Sequence, residues 1–167
     1  MKQIEIERKY IIAKPAASDY ESVSDYSSSR IEQIYLPSER DETLRIRKRE
    51  YKNRTEYVKT HKKRIDTISC IECEDEISRE EYEALSGGIL RGTRPIVKIR
   101  HTFSYGGQLF EIDEYPEWER SCIMETELKD REDAPSFPDF IRVIKEVSGE
   151  RDYSNASMSR AFPKELA

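Results

Sequence analysis

Near its start the sequence spaces two carboxylates and an ammonium one residue apart: Glu5, Glu7 and Lys9 in EIERKY. The same spacing recurs in Arg45, Arg47 and Arg49, in Glu72, Glu74 and Glu76, in Lys98 and Arg100, in Glu111 and Asp113, and in Glu125, Glu127 and Lys129. In an extended segment every second side chain leaves the same face, so each run presents a row of charge. Clustered carboxylate oxygens suit Mg²⁺ or Mn²⁺, whereas clustered guanidinium and ammonium groups suit phosphate oxygens, Arg by bidentate geometry and Lys as a point charge. Rows of both signs facing one space would take a metal-bound oligophosphate.

The elements that must carry these rows are strands, because period-two alternation dominates the chain. Eight extended segments are expected at about 3–12, 30–36, 43–51, 55–62, 70–77, 94–104, 108–116 and 121–129. In most of them the second face is mainly apolar: Ile4, Ile6 and Tyr10 in the first, Leu44 and Ile46 in the third, Val97 and Ile99 in the sixth, Phe110 and Ile112 in the seventh. The fourth is read with Lys59 beside Tyr57 and His61 on its functional face. Gly106-Gly107 supplies a two-residue hairpin turn that needs positive φ, which sets Arg100 opposite Asp113, Thr102 opposite Glu111 and Phe103 opposite Phe110. Ser78 with Glu81 forms a capping-box signature for a helix near 79–86, stopped at Gly87. Phe140, Ile141, Ile144 and Val147 recur at helical spacing between Pro138 and Gly149, which predicts a second helix over 138–148 on the outer surface. The serine-rich stretch 18–29 reads as a weak helix or a mobile connection.

A sheet of eight strands curls, and closing it removes its edges. With the apolar faces packed outward, the charged faces line the interior. Burying so many charges costs several kcal/mol per ion unless they are paired or coordinated, which again implies ionic ligands. The fold class expected is α+β, mainly β: one domain over residues 1–167, an eight-stranded antiparallel closed β-barrel with a charged interior and helices packed outside.

Composition narrows the function. The 29 basic and 34 acidic side chains nearly cancel to a net charge of −5, without the basic excess that nucleic acid requires. No stretch approaches the apolar length of a membrane-spanning helix, and an outer-membrane barrel would need export and would lack covering helices. Three cysteines and a polar start, MKQIEIERKY, point to the reducing cytoplasm. The expected assembly is a monomer or a homodimer.

Taken in order, Glu5-x-Glu7-x-Lys9, Arg45-x-Arg47, Lys59, Glu72-x-Glu74, Lys98-x-Arg100, Asp113, Glu125-x-Glu127 and the terminal EVSGERDYSN resemble the triphosphate tunnel metalloenzymes, the CYTH superfamily, over nearly the whole chain. One departure is that Lys59 is not followed by the glycine often found after the family's lysine. The resemblance implies an eight-stranded tunnel and a metal-dependent triphosphatase acting on inorganic, thiamine or nucleoside triphosphate. Lys9, Arg45, Arg47, Lys59, Lys98 and Arg100 would grip the phosphates. Glu5, Glu7, Glu125 and Glu127 would hold Mg²⁺ or Mn²⁺, with Glu72, Glu74 and Asp113 sharing a second metal or orienting water. Two alternatives stand beside this reading: an adenylyl cyclase making cyclic AMP from ATP, and a polyphosphate-binding module without catalysis.

Other signals read as structural. Cys70-x-x-Cys73 lacks a second cysteine pair and suits buried thiols, His61 and His101 have surface or packing roles, and Trp118 caps the loop before the eighth strand. Tyr153 and Asn155 fall in the family's C-terminal element and are read as local caps outside the core site.

Overall fold

A computed structural model describes residues 2–166. Among the described residues nine strands form the framework: β1 (Lys2–Ala13), β2 (Ser24–Leu36), β3 (Glu42–Glu50), β4 (Thr55–Arg64), β5 (Ser69–Glu76), β6 (Ile96–Tyr105), β7 (Gln108–Glu114), β8 (Ser121–Glu127) and β9 (Val143–Glu146). Two α-helices, α1 (Arg79–Ser86) and α2 (Asn155–Met158), and short 3₁₀ turns at Ala17–Ser22 and Arg151–Tyr153 complete it. The hydrogen-bonded order is β5-β4-β3-β2-β6-β7-β8-β1-β9, and β5 also pairs with β1. That last pairing closes a barrel of eight antiparallel strands, with β9 as an addition.

Closure depends on the length of β1. Residues Lys2–Ile6 pair with β5, and Glu7–Ala13 pair with β8. Where β5 has left the edge of β1, β9 takes it, pairing Tyr10 with Glu146 and Ile11 with Lys145.

The hairpin of β6 and β7 has the expected register. Arg100 faces Asp113 and Phe103 faces Phe110, around Gly106 and Gly107 at φ 58° and 75°. Helix α1 starts as its capping signature predicts, with the Glu81 N–H donating to Ser78 Oγ at 3.0 Å.

Two expectations are corrected. The helix over 138–148 does not form: residues 139–140 make a turn, and 143–146 become β9. The open β1 edge offers these residues a ladder, and Phe137, Phe140 and Ile141 still pack on the barrel wall as an extended strap. The serine-rich stretch, expected as a weak helix or a mobile connection, is a short helix only as far as Ser22; β2 then begins at Ser24, six residues before the expected strand. Its serines pair with β6 through a bulge between Ser24 and Ser27, next to Asp25 at φ 55°.

The apolar faces point outward into two covered clusters. Tyr10, Ile12, Phe103, Phe110, Ile112 and Met124 lie under Tyr20 and the 137–141 strap. Ile34, Leu36 and Ile46 lie under Tyr82 and Leu85 of α1. A third cluster plugs one end of the barrel, where inward-facing Ile11, Ile96 and Ile123 meet Val147, Met158, Phe162 and Leu166 of the C-terminal segment. Trp118 belongs to this plug, its indole N–H donating to the Pro163 carbonyl at 3.0 Å.

Candidate phosphate and metal site

The strands enclose a cavity of about 790 Å³ whose lining is dominated by ions. β3 contributes Arg45, Arg47 and Arg49, and β6 contributes Arg100. β1 contributes Glu5, Glu7 and Lys9, β5 Glu72 and Glu74, β7 Glu111, and β8 Glu125 and Glu127.

The cationic side is crowded and incompletely matched. Arg47 is buried, and its Nη2 donates to Glu74 Oε2 at 2.5 Å and to Thr60 Oγ1 at 3.3 Å. Burial, with Arg45 and Arg49 flanking it, pushes Arg47 down to about 9 against the pull of Glu74. The Nε atoms of Arg45 and Arg47 are buried without a hydrogen-bond partner. Native proteins rarely leave buried donors unmatched, and these two belong to side chains that line the cavity.

Arg100 reaches the cavity from β6, tied to acids of β7. Its Nε and Nη2 donate to Asp113 Oδ1 and Oδ2, both at 2.7 Å, while a further nitrogen pairs with Glu111. Lys98 also donates to Asp113 Oδ2, at 2.6 Å, and lies 3.5 Å from Asn155 Oδ1, which accepts from Tyr115 Oη at 2.8 Å. Burial works against the Asp113 carboxylate, yet Arg100 and Lys98 hold it below the usual range.

The anionic side has the opposite problem. Burial and the neighbouring Glu72, Glu7 and Glu127 push Glu5 up to about 7, with Lys62 opposing them. Glu125 foremost, and then burial, raises Glu7. Burial works against the charge of Glu125 too, yet it is held low, because Lys9 Nζ sits 2.9 Å from it and Arg100 3.9 Å away. An all-oxygen set of mutually repelling carboxylates fits a hard divalent cation, which would relieve the crowding. Among the described residues, no three His, Cys, Asp or Glu side chains are already set as a coordination sphere, so Glu5, Glu7, Glu72 and Glu127 would rotate to hold one.

Most of the residues expected from sequence thus lie on this cavity: Lys9, Arg45, Arg47, Arg100, Glu5, Glu7, Glu72, Glu74, Glu125 and Glu127. Three lie elsewhere. Lys98 and Asp113 form a buried pair, each 1% exposed, and they support Arg100. Lys59 is the clear departure: it pairs with Glu81 of α1 at 3.5 Å, opposite outward-facing Ile46. The inward face of β4 is instead Val58, Thr60, Lys62 and Arg64, which register with Arg47, Arg45 and Thr43 of β3 and with the glutamates of β5. The tight connection between β3 and β4 fixes that register, so the position of the arginines on β3 was the signal for Lys62. The C-terminal segment also contributes to the lining: Ser148, Gly149, Arg151, Asn155 and Ser157 are part of it, and Lys9 Nζ donates to the Tyr153 carbonyl at 3.3 Å. Cys70 lines the cavity rather than a core, while Cys73 points away from it.

A family model described as the CYTH domain matches residues 3–161. The chain belongs to the CYTH family. A search of curated proteins finds no match. Among solved structures, this CYTH chain is similar to the inorganic triphosphatase NE1496, at 24% identity and a TM-score of 0.60, over 96% of this chain and 97% of that one. It is also similar to the PH1819 protein of Pyrococcus horikoshii OT3, at 24% identity and a TM-score of 0.57, over 76% and 80% of the two chains. These likenesses extend to the CYTH barrel as a fold.

Proposed function

We propose that the chain is a divalent-cation-dependent triphosphatase that releases the terminal phosphate of a small triphosphate compound, with inorganic triphosphate as the preferred substrate. The observation that carries this reading is the pair of orphaned guanidinium donors on Arg45 and Arg47, inside a cavity whose opposite acids repel one another. A polyphosphate satisfies the first and a divalent cation relieves the second. Membership of the CYTH family and the likeness to a protein named as an inorganic triphosphatase point the same way. The preference for inorganic triphosphate rests on the lining itself. Among the described residues Tyr35 is its sole aromatic, and that ring is buried with its hydroxyl held by Gln33, so it offers no platform for a base or a thiamine ring.

In this reading Arg45, Arg47, Arg49, Lys9 and Arg100 hold the phosphate chain and offset the charge that develops at the attacked phosphorus. Lys98 and Asp113 position Arg100, and Glu74 positions Arg47. Glu5, Glu7, Glu72 and Glu127 would hold Mg²⁺ or Mn²⁺, and Glu125 orients Lys9. The cation, when bound, polarises phosphate oxygens and lowers the pKa of water. Turnover takes place in the cytoplasm in this proposal.

The test is to incubate the protein with triphosphate, ATP and thiamine triphosphate, with Mg²⁺ or Mn²⁺, and to resolve phosphate, pyrophosphate and cyclic AMP. Release of phosphate from triphosphate, abolished by a chelator, is expected. Cyclic AMP as the main product, or binding without turnover, would refute the reading.

A further inference from the structure

The acids of β1 and β5 already share one cation. Lys62 Nζ lies 3.8 Å from Glu5 Oε2, 3.8 Å from Glu7 Oε1 and 3.5 Å from Glu72 Oε2. None of these is a close pairing of the kind made by Lys9 with Glu125 at 2.9 Å or Lys98 with Asp113 at 2.6 Å. An ammonium suspended among three carboxylates from two strands is placed as a bound ion is placed. Its stem is flexible, its charge is compact, and it comes from a third strand, so it can leave without disturbing the acids.

The same carboxylates are those assigned above to the divalent cation, and this inference rests on that reading. We propose that Lys62 is a tethered competitor for the metal: its ammonium holds Glu5, Glu7 and Glu72 together while the metal is absent, and moves toward the phosphate chain when the metal enters. Two cations cannot share so small a space without strong repulsion, so one must move. Arg45 lies 3.8 Å from Glu72, so an ammonium leaving the acids enters the zone where the arginines await phosphate. Displacement therefore couples the two ligands: metal binding frees a further phosphate-binding charge, and bound polyanion draws that charge away from the metal site. The linkage is reciprocal. Lys62 is a positioning residue that sets metal affinity, in addition to any grip it exerts on substrate.

The experiment is a calorimetric titration of Mn²⁺ into the substrate-free protein, comparing wild type with Lys62→Met, which keeps the stem and removes the charge. Mn²⁺ should bind Lys62→Met at least about tenfold more tightly. In chelator at pH 8 the variant should melt at a lower temperature than wild type, and Mn²⁺ should restore it. Equal or weaker Mn²⁺ binding by Lys62→Met overturns the proposal, as it would if Lys62 served the phosphates alone. Should Lys62→Met not fold without metal, Lys62→Gln is titrated against Lys62→Arg: tighter binding by the glutamine variant supports the proposal, and equal binding overturns it. A wild type that binds no Mn²⁺ refutes the metal site itself, whereas binding that the substitutions leave unchanged refutes the role of Lys62 alone.

Discussion

Both oxygens of Asp113 are committed to cations: Oδ1 to Arg100, and Oδ2 to Arg100 and Lys98. Removing its charge would leave Lys98 buried without its carboxylate and would take from Arg100 one of its partners beside Glu111 and Glu125, so Asp113→Asn should cost about 3 to 5 kcal/mol in a denaturant melt, a loss that added Mg²⁺ does not recover. A metal ligand would behave differently, with its loss appearing chiefly as weaker cation binding. Lys59 offers a second contrast, between motif and placement. Its partner Glu81 is exposed on α1, and such pairs contribute little. Lys59→Ala should therefore change kcat/KM by less than about threefold. Arg47→Ala, which removes an orphaned donor from the cavity, should lower it by at least about a hundredfold. Steady-state assays on the two purified variants decide the matter.

At the scale of elements, the wall of β6 to β8 is held by aromatic packing. Phe110 is fully buried, stacked on Phe103 at 5.3 Å and met edge-on by Phe137 of the strap at 6.2 Å. Phe110→Ala should cost about 3 to 5 kcal/mol, read by chemical unfolding. The segment that follows β9 meets the barrel at Gly149, whose φ is +73° and where an added Cβ would run into Thr67 Cγ2. Thr67 belongs to the turn between β4 and β5, and both residues line the cavity. Gly149→Ala must therefore push the C-terminal segment off that turn as well as strain its own backbone. A loss of about 2 kcal/mol is expected, partly relieved by Thr67→Gly in the same chain, and the double variant checks that the clash is the cause.

Over the whole molecule, opposing carboxylate shifts shape the response to pH. Glu5 rises from an ordinary 4.5 to about 7, and Glu7 rises as well. Through that window the folded chain holds more protons than the unfolded chain, so the metal-free protein should gain stability as pH falls from about 8 to 5. Glu125 and Asp113 are held low, so their contribution is complete above their unfolded values and is lost as pH falls below about 4. Melting temperature in chelator should therefore peak near mildly acidic pH, and Mg²⁺ should remove the alkaline decline by occupying the deprotonated acids. A flat profile between pH 5 and 8 would contradict the crowding on which the metal site rests.

The barrel and its charged interior were legible in sequence because alternation is local and each strand reports its own two faces. The Gly106-Gly107 turn and the Ser78 cap were legible for the same reason. What escaped was relational. The face of β4 follows from its register against β3, and the tripeptide Tyr57-Val58-Lys59 alone does not reveal it. Residues 143–146 carry helical spacing, yet the edge of β1 captured them, and that edge exists only because β5 ends its pairing at Ile6. Lys62 escaped, and the terminal EVSGERDYSN motif did not reveal that Asn155 lines the cavity, because the neighbours of both are distant in the chain.

The split pairing of β1 also bears on how the protein is made. The strand that supplies Glu5 and Glu7 leaves the ribosome before the other strands of the barrel, but Glu7 finds its partner at Glu127, far downstream. Contacts so distant in sequence form late, since a long loop must close before they reward the chain. The first-made strand is thus seated near the end of folding, as the stave that shuts the cask. A nascent chain halted before β8 would have synthesised every arginine of the cationic wall, but it would have no vessel in which to use them.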